Sequence, residues 1–213
     1  AIGAGSSSIT IGSDTYTVQQ KDYLGNQRPN PQGSSPDLGA FENSRSEPLP
    51  HNTKIYVSIN GEDRGVGLEG SPFKTIQAGI DYSQNGDSII VKEGTYEWIA
   101  FKGNNVVLGS LFIIDGDTSH ISRTIISPGS GNNPLGGQNI VKIISGEDSS
   151  AVLSGFTIKG NNKSNVGSGI LIDDSSPTLN NLYIYNNYMN ASGGGGYFAG
   201  SNSTLSQSNI INN

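Results

Sequence analysis

Four carboxylates are spaced so that they could share one cation. Glu147-Asp148 and Asp173-Asp174 are each followed by two serines, and the two acidic pairs are 26 residues apart. If one coil of a solenoid separates the pairs, each carboxylate stacks beside its counterpart, about 4.8 Å away along the axis. Like charges so close repel unless a cation or a proton intervenes, and Ca²⁺ accepts several carboxylate oxygens in loose geometry. The spacing predicts a calcium site, with the side chains spread into solvent as the alternative.

Aromatic residues are a second group of candidates. Tyr183 and Tyr185 flank Ile184, so on a strand both rings lie on the face opposite the isoleucine. The single tryptophan, Trp98, comes much earlier in the chain. Exposed aromatic rings stack on sugar rings or dock a partner chain. Trp98, Tyr183 and Tyr185 are therefore candidate ligand-binding residues, and packing against a cap is the alternative for Trp98.

A repeated element must position these residues. Apolar residues recur every 26 positions in two series, which are Leu153, Leu179 and Leu205, and Ile158, Ile184 and Ile210. A fixed period in this range indicates a solenoid, and short segments bounded by Asn, Gly and Ser favour strands. The predicted fold is all-β, a β-helix of about 26 residues per coil. Ile144 and Ile170 extend the period upstream, and Asn187 and Asn213 predict an amide ladder.

The composition of the 213 residues is consistent with a narrow core and polar turns, since 33% are hydrophobic and 14% are charged. The net charge of −6 argues against nucleic acid as a partner. Because the chain contains no cysteine, it can form neither a disulfide nor a thiolate metal site. No stretch approaches the roughly 20 apolar residues that span a membrane, and no signal peptide is visible.

The chain divides into two regions. Residues 1–50 are rich in proline and glycine and end in a linker. Residues 51–213 form the predicted β-helix, which starts with a cap over 55–82 made of a strand and a helix. Because the sequence stops within a repeat, we expect a fragment of a longer chain or an end covered by another copy.

Several motifs resemble bacterial secreted right-handed parallel β-helix repeat proteins of the pectin-lyase-like superfamily. The opening motif is Ser71-Pro-Phe-Lys-Thr-Ile-Gln followed by Gly86-Asp-Ser-Ile-Ile-Val, and the body motif is Ser175-Ser-Pro-Thr-Leu. Asp37-Leu-Gly-Ala-Phe-Glu is similar to the segment that closes a module in such proteins, sometimes labelled a choice-of-anchor domain. The resemblance implies a secreted or cell-surface protein of bacterial type.

The enzymes of this superfamily are mostly polysaccharide lyases and hydrolases, in which a lyase uses an Arg or Lys base beside carboxylates. The candidate cations are Lys92, Lys102, Arg123, Lys142 and Lys159, and the candidate carboxylates are Asp115, Asp117, Glu147, Asp148, Asp173 and Asp174. None of these residues lies in a lyase motif, so charged groups of solvated turns are the favoured interpretation. His51 and His120 are isolated in the sequence and are expected to be solvated loop residues.

The main hypothesis is a non-catalytic, exported structural or adhesive module of a cell-surface protein, which binds carbohydrate or assembles end to end into a fibre. The alternative is a polysaccharide-active enzyme, either a uronate lyase or a glycoside hydrolase. The expected partners are a polysaccharide or cell-surface glycan and further copies of the chain, and calcium is the one cofactor considered.

Overall fold

The computed structural model describes residues 5–29, 32, 35–41, 51–129, 139–160, 169–188 and 193–213. Contacts between Cα atoms divide the chain into two compact units, Ala1–His51 and Asn52–Asn213. In the first unit, β1 (Ser8–Ile11) and β2 (Asp14–Thr17) form an antiparallel hairpin. Assigning this unit to the close of a preceding module stays a prediction, and most of the predicted linker lies outside the described residues.

Three parallel sheets make up the second unit, and successive strands visit them in a fixed order. The six-stranded sheet contains β3 (Lys54–Val57), β4 (Ser88–Val91), β7 (Val107–Ser110), β10 (Val152–Ser154), β13 (Thr178–Asn180) and β16 (Thr204–Ser206). The five-stranded sheet contains β5 (Gly94–Tyr96), β8 (Thr124–Ile126), β11 (Thr157–Lys159), β14 (Tyr183–Tyr185) and β17 (Asn209–Ile211). The four-stranded sheet contains β6 (Ile99–Ala100), β9 (Val141–Ile143), β12 (Ile170–Asp173) and β15 (Gly196–Ala199). The predicted all-β parallel β-helix is confirmed.

The core is a stack of apolar rows between the sheets. In the six-stranded sheet Ile89, Leu108, Leu153 and Leu179 are register partners in successive coils, and all four are fully buried. Burying one such side chain contributes roughly 1.5–3 kcal/mol. The predicted ladder is also present, since Asn187 Nδ2 donates to Asn213 Oδ1 at 3.0 Å. Inward residues thus stack coil upon coil and leave the outward residues free to form sites.

Helix α1 (Ile76–Tyr82) is shorter than the helix predicted over 71–82, because Phe73 is extended and pairs with Val57. Thr75 is the N-cap, and its hydroxyl oxygen accepts a hydrogen bond from a backbone N–H in the first helical turn at 3.2 Å. The helix packs on β3 and β4 at the start of the coil stack, which is the position expected of a cap.

An insertion between β7 and β8 forms two short helices, α2 (Phe112–Asp115) and α3 (Ser119–Arg123). The sequence indicated only a connection longer than a tight turn requires. A left-handed residue, Gly116 (φ 75°), ends α2. The Thr157 hydroxyl donates to the Ile121 carbonyl at 2.8 Å, so α3 rests against β11 on the outside of the five-stranded sheet.

The register of one stretch differs from the prediction. Ile170 pairs with Val141, an offset of 29 residues, whereas β13 pairs with β10 at an offset of 26. The connection over 144–151 is three residues longer than the connection over 173–177, and this excess accounts for the change. The upstream extension of the period is therefore wrong, because Ile144 is not the partner of Ile170.

Candidate functional site

A cleft of about 600 Å³ lies where the start of α1 faces the chain after β5. We call it the Trp98 cleft. It is lined by Ile59, Asp63, Lys74, Thr75, Ile76, Gln77, Thr95, Tyr96, Glu97 and Trp98. Its volume is typical of small-molecule sites, and it combines apolar walls with donors and acceptors.

Backbone hydrogen bonds hold the cleft in shape. Asp63 Oδ1 accepts from the backbone nitrogens of Lys74 and Thr75 at 2.9 and 2.8 Å. Gln77 Oε1 accepts from the backbone nitrogen of Ala100 at 2.9 Å, and its Nε2 donates to the Ala100 carbonyl at 3.1 Å. The entry to α1 and the third strand of the coil are thus tied together before any ligand arrives.

The indole of Trp98 is the unusual feature of the cleft. Its ring is partly buried against the core, and its Nε1 atom is buried without a hydrogen-bond acceptor among the described residues. An unpaired buried donor costs roughly 1–3 kcal/mol. The neighbouring Glu97 carboxylate lies against Gly129, where an added Cβ would come within 2.6 Å of it. The cleft therefore presents a donor without an acceptor beside an exposed carboxylate.

Tyr96 is a wall of the cleft and not a proton donor or acceptor for chemistry at neutral pH. Its hydroxyl donates to the Lys92 carbonyl at 2.7 Å. Burial raises the pKa of Tyr96 to about 12, so the phenol stays neutral over the physiological range.

A second depression, of about 300 Å³, lies between α3 and the outer face of the five-stranded sheet. We call it the Tyr183 groove. It is lined by Thr118, Ile121, Ser122, Thr157, Asn181, Leu182, Tyr183, Gln207 and Asn209. Tyr183 is half-buried here, and its ring centroid is 5.1 Å from that of Tyr185 at an angle of 46°. The structure thus places Trp98 and Tyr183 in two separate cavities.

The second tyrosine of that pair has a cationic neighbour. Lys159 Nζ lies 5.7 Å from the centroid of the Tyr185 ring, within range of a cation–π contact. Lys159 and Tyr185 are register partners on β11 and β14. Tyr185 therefore extends the outer face of the sheet without lining the groove.

Titratable side chains cluster where α2 and α3 meet the turn before β5. His120 Nδ1 lies 2.7 Å from Glu93 Oε1, and His120 Nε2 lies 3.0 Å from Asp115 Oδ2. Arg123 Nε donates to the same Glu93 oxygen at 2.7 Å. The imidazole side chain is only 12% exposed. The expectation that His120 is a solvated loop residue is therefore wrong.

The electrostatics of this cluster favour a protonated imidazole. Partial burial lowers the pKa of His120, but hydrogen bonds and charge interactions with Asp115 and Glu93 outweigh it, so the net pKa is raised. The backbone N–H of Asp117, and then the hydrogen bond with His120, lower the pKa of Asp115. Hydrogen bonds from the Ser119 hydroxyl and backbone lower the pKa of Asp117. The insertion is thus held by charged hydrogen bonds.

We expect this cluster to make stability depend on pH. Because the folded pKa of His120 lies above the ordinary 6.5, its contribution is complete below that value and is lost as pH rises through the raised pKa. The difference in melting temperature between wild type and His120→Gln should be largest at about pH 5.5 and should shrink toward about pH 8.5. Groups common to both proteins, His51 included, cancel. A difference that grows with pH would contradict the assignment.

The predicted stack of four carboxylates is not formed. Glu147 is buried, and its carboxylate accepts hydrogen bonds from Gly103 N at 2.8 Å, Ser145 N at 2.8 Å and Ser175 Oγ at 2.9 Å. The offset of 29 residues places Ser175, and not Asp173, beside it. In the described part of the chain, no three His, Asp or Glu side chains are placed to hold a metal ion. The stacking that calcium required is therefore wrong.

Asp148 also has a local role. Its Oδ1 accepts from the Ser150 hydroxyl at 2.5 Å and from the Ser150 backbone at 2.8 Å, and these two hydrogen bonds lower the pKa of Asp148. Asp173 and Asp174 are exposed in the next coil. The acidic pairs thus shape two turns of unequal length.

The candidate lyase cations are dispersed among separate partners. Lys102 Nζ lies 2.7 Å from Asp81, and Lys92 Nζ lies 4.0 Å from Glu69. Only Arg123 lies in a cluster that also holds a histidine and two carboxylates. If the chain has a catalytic centre among its described residues, the insertion is where the required groups come together.

A family model described as "Protein of unknown function (DUF1565)" matches residues 59–212, which is more than half of the chain. The chain belongs to this family. No curated protein matches it. A solved structure of a pectin methylesterase mutant in complex with a hexasaccharide is similar over 74% of this chain and 50% of that chain, with 17% identity and a TM-score of 0.45. The chain spans half the length of that protein, and the likeness concerns the fold alone.

Sequence reasoning about this DUF1565 protein missed the His120 cluster and most of the Trp98 cleft. Glu93 and His120 are 27 residues apart, close to one coil, so their approach was a consequence of the period. The insertion hid this signal, because the register across it is not readable from spacing. Asp63 and Lys74 precede the first repeat and carry no periodic signal at all.

Proposed function

We propose that this chain is a module of an exported cell-surface protein that binds carbohydrate in the Trp98 cleft without transforming it, in a structural or adhesive role. The observation that carries the proposal is the buried Trp98 Nε1 that no described residue satisfies. A ligand oxygen in the cleft would supply the missing acceptor. The gain on binding is large because the donor has already lost its water.

The groups around Trp98 suit a sugar. A tryptophan provides an apolar face and a polar N–H at one edge, which matches a ring with hydrophobic faces and hydroxyl edges. Glu97 is exposed at the cleft wall and can accept from hydroxyl groups, and the Lys74 ammonium can donate to them. Ile59 and Ile76 complete the apolar lining.

The single tryptophan makes the proposal testable. Its emission reports on this cleft alone, so we expect a saturable change when a glycan identified on an array is titrated into the protein. Trp98→Phe keeps an aromatic ring and removes the N–H, and should weaken binding about fivefold to tenfold by calorimetry. Tyr197→Phe on β15 is the matched control, with unchanged affinity. Unaltered emission at saturation, or equal affinity for Trp98→Phe, would sink the proposal.

Export and surface attachment are part of the proposal and rest on the resemblance of the repeats to secreted β-helix proteins. No helix in the described residues is long and apolar enough to cross a membrane. Fractionation of the producing cells with an antibody to this module tests the location. End-to-end self-association stays a prediction, for which sedimentation velocity over a range of concentrations is the direct measurement.

A polysaccharide-active enzyme is the second candidate function, favoured by the cluster of Arg123, His120, Glu93 and Asp115. These groups could move a proton at a sugar ring. Uronate polymers and neutral glycans should be incubated with the protein while unsaturated products and new reducing ends are measured. Turnover that disappears in Arg123→Ala would favour the enzyme. Turnover unaffected by that change, or no turnover at all, would favour the binding module.

A further inference from the structure

The Tyr183 groove differs from the Trp98 cleft in its chemistry. Apart from the weakly acidic phenol, none of its lining residues is ionisable, and the polar groups are hydroxyls and amides. We propose that this groove is a second ligand site, which takes an uncharged, hydroxyl-rich glycan chain. The inference extends the proposed function, but it stands on a separate cavity and separate residues.

Tyr183 supplies the apolar surface of the site. It points outward from β14, in a register row with Thr157 before it and Asn209 after it. Its neighbour Leu182 is buried with 2% exposure, so the floor of the groove is rigid. A half-buried tyrosine ring offers one face for stacking and loses little side-chain entropy on binding.

Three side-chain amides border the ring. Asn181 and Gln207 occupy the same turn position in successive coils, both with left-handed backbones (φ 53° and 47°). Asn209 follows one coil after Tyr183. No described residue pairs with any of these three amide groups, so each offers both a donor and an acceptor. Amides at the spacing of successive coils match hydroxyl groups that recur along a chain.

Helix α3 closes the other side of the groove. The hydrogen bond from Thr157 to the Ile121 carbonyl, at 2.8 Å, fixes the helix on the sheet. The charges of α3 are engaged away from the groove, because His120 and Arg123 bond to Glu93. Unlike an acidic polymer, a neutral ligand leaves no charge unpaired in such a site.

Calorimetry with neutral oligosaccharides and with uronate oligosaccharides of equal length tests the inference. Neutral ligands should bind with an affinity that changes little between low and high salt, and Tyr183→Ala should weaken that binding about tenfold. Asn209→Ala tests the amide contact in a more exposed side chain, and should weaken binding severalfold without altering the melt. Tyr197→Ala is the control, with unchanged affinity.

The two sites are separable in the same titrations. Binding at the groove should persist in Trp98→Phe, and Tyr183→Ala should leave the tryptophan response to its own ligand unchanged. If Tyr183→Ala melts at a lower temperature, Tyr183→Phe and Asn209→Ala carry the test on folded protein. Binding that is salt-dependent, restricted to uronates or peptides, or unaffected by both Tyr183→Ala and Asn209→Ala would overturn the inference.

Discussion

Replacing Glu147 by alanine is expected to lower the free energy of unfolding by about 3–4 kcal/mol. The side chain is 1% exposed and accepts three hydrogen bonds, from Gly103, Ser145 and Ser175. Removing the carboxylate leaves these three donors without their acceptor. A buried carboxylate is tolerated only when such donors satisfy it, so here the acid joins neighbouring coils at a turn.

Chemical denaturation measures this effect. Glu147→Gln should recover only part of the loss, because one amide nitrogen would face a donor. Asp148→Ala is the matched control, since that exposed side chain bonds only within its own turn and should cost less than about 1 kcal/mol. Added calcium should leave the midpoint of wild type unchanged. A calcium-dependent rise that needs Glu147 would contradict this structural role.

Replacing Phe156 by alanine should cost about 3–5 kcal/mol. Phe156 is fully buried at the corner between β10 and β11, and its carbonyl accepts from Tyr183 N at 2.9 Å. The cavity cannot collapse easily, because coils on both sides are held in register by the sheets. The loss falls in the middle of the stack, where it weakens the interface between neighbouring coils.

A thermal melt followed by circular dichroism should show the lower stability of Phe156→Ala and a broader transition than wild type. Broadening is expected because coils interact only with their neighbours, so a weak central interface lets the two ends unfold separately. Phe198→Ala is the control, because that side chain is 42% exposed and its removal should change stability by less than about 1 kcal/mol. Equal losses for the two variants would mean that Phe156 is not a core residue.

The two candidate sites show how a regular coil stack acquires chemistry. The stacked rows leave Tyr183 on an outer face. The irregular parts, namely the cap helix and the insertion between β7 and β8, add the walls that turn faces into cavities. Function in such a fold is expected where the repeat is interrupted, and both cavities follow this rule.

The period of the sequence was sufficient to predict the architecture. Inward side chains of a parallel stack must match in every coil, so Leu153, Leu179 and Leu205 reveal their pairing by spacing alone. The same argument correctly placed Tyr183 and Tyr185 outward and correctly predicted the amide ladder of Asn187 with Asn213. These properties depend on local alternation and a constant coil length.

Only the tertiary structure could decide what happens where coil length varies. Three extra residues in the turn over 144–151 shift the offset to 29, which separates Glu147 from Asp173 and buries Glu147 among backbone donors. In the same way, the insertion brings His120 to Glu93, and α1 encloses Trp98 with an unpaired indole N–H. A turn's length is visible in the sequence, but the direction in which its extra residues fold depends on which buried donors and acceptors they meet.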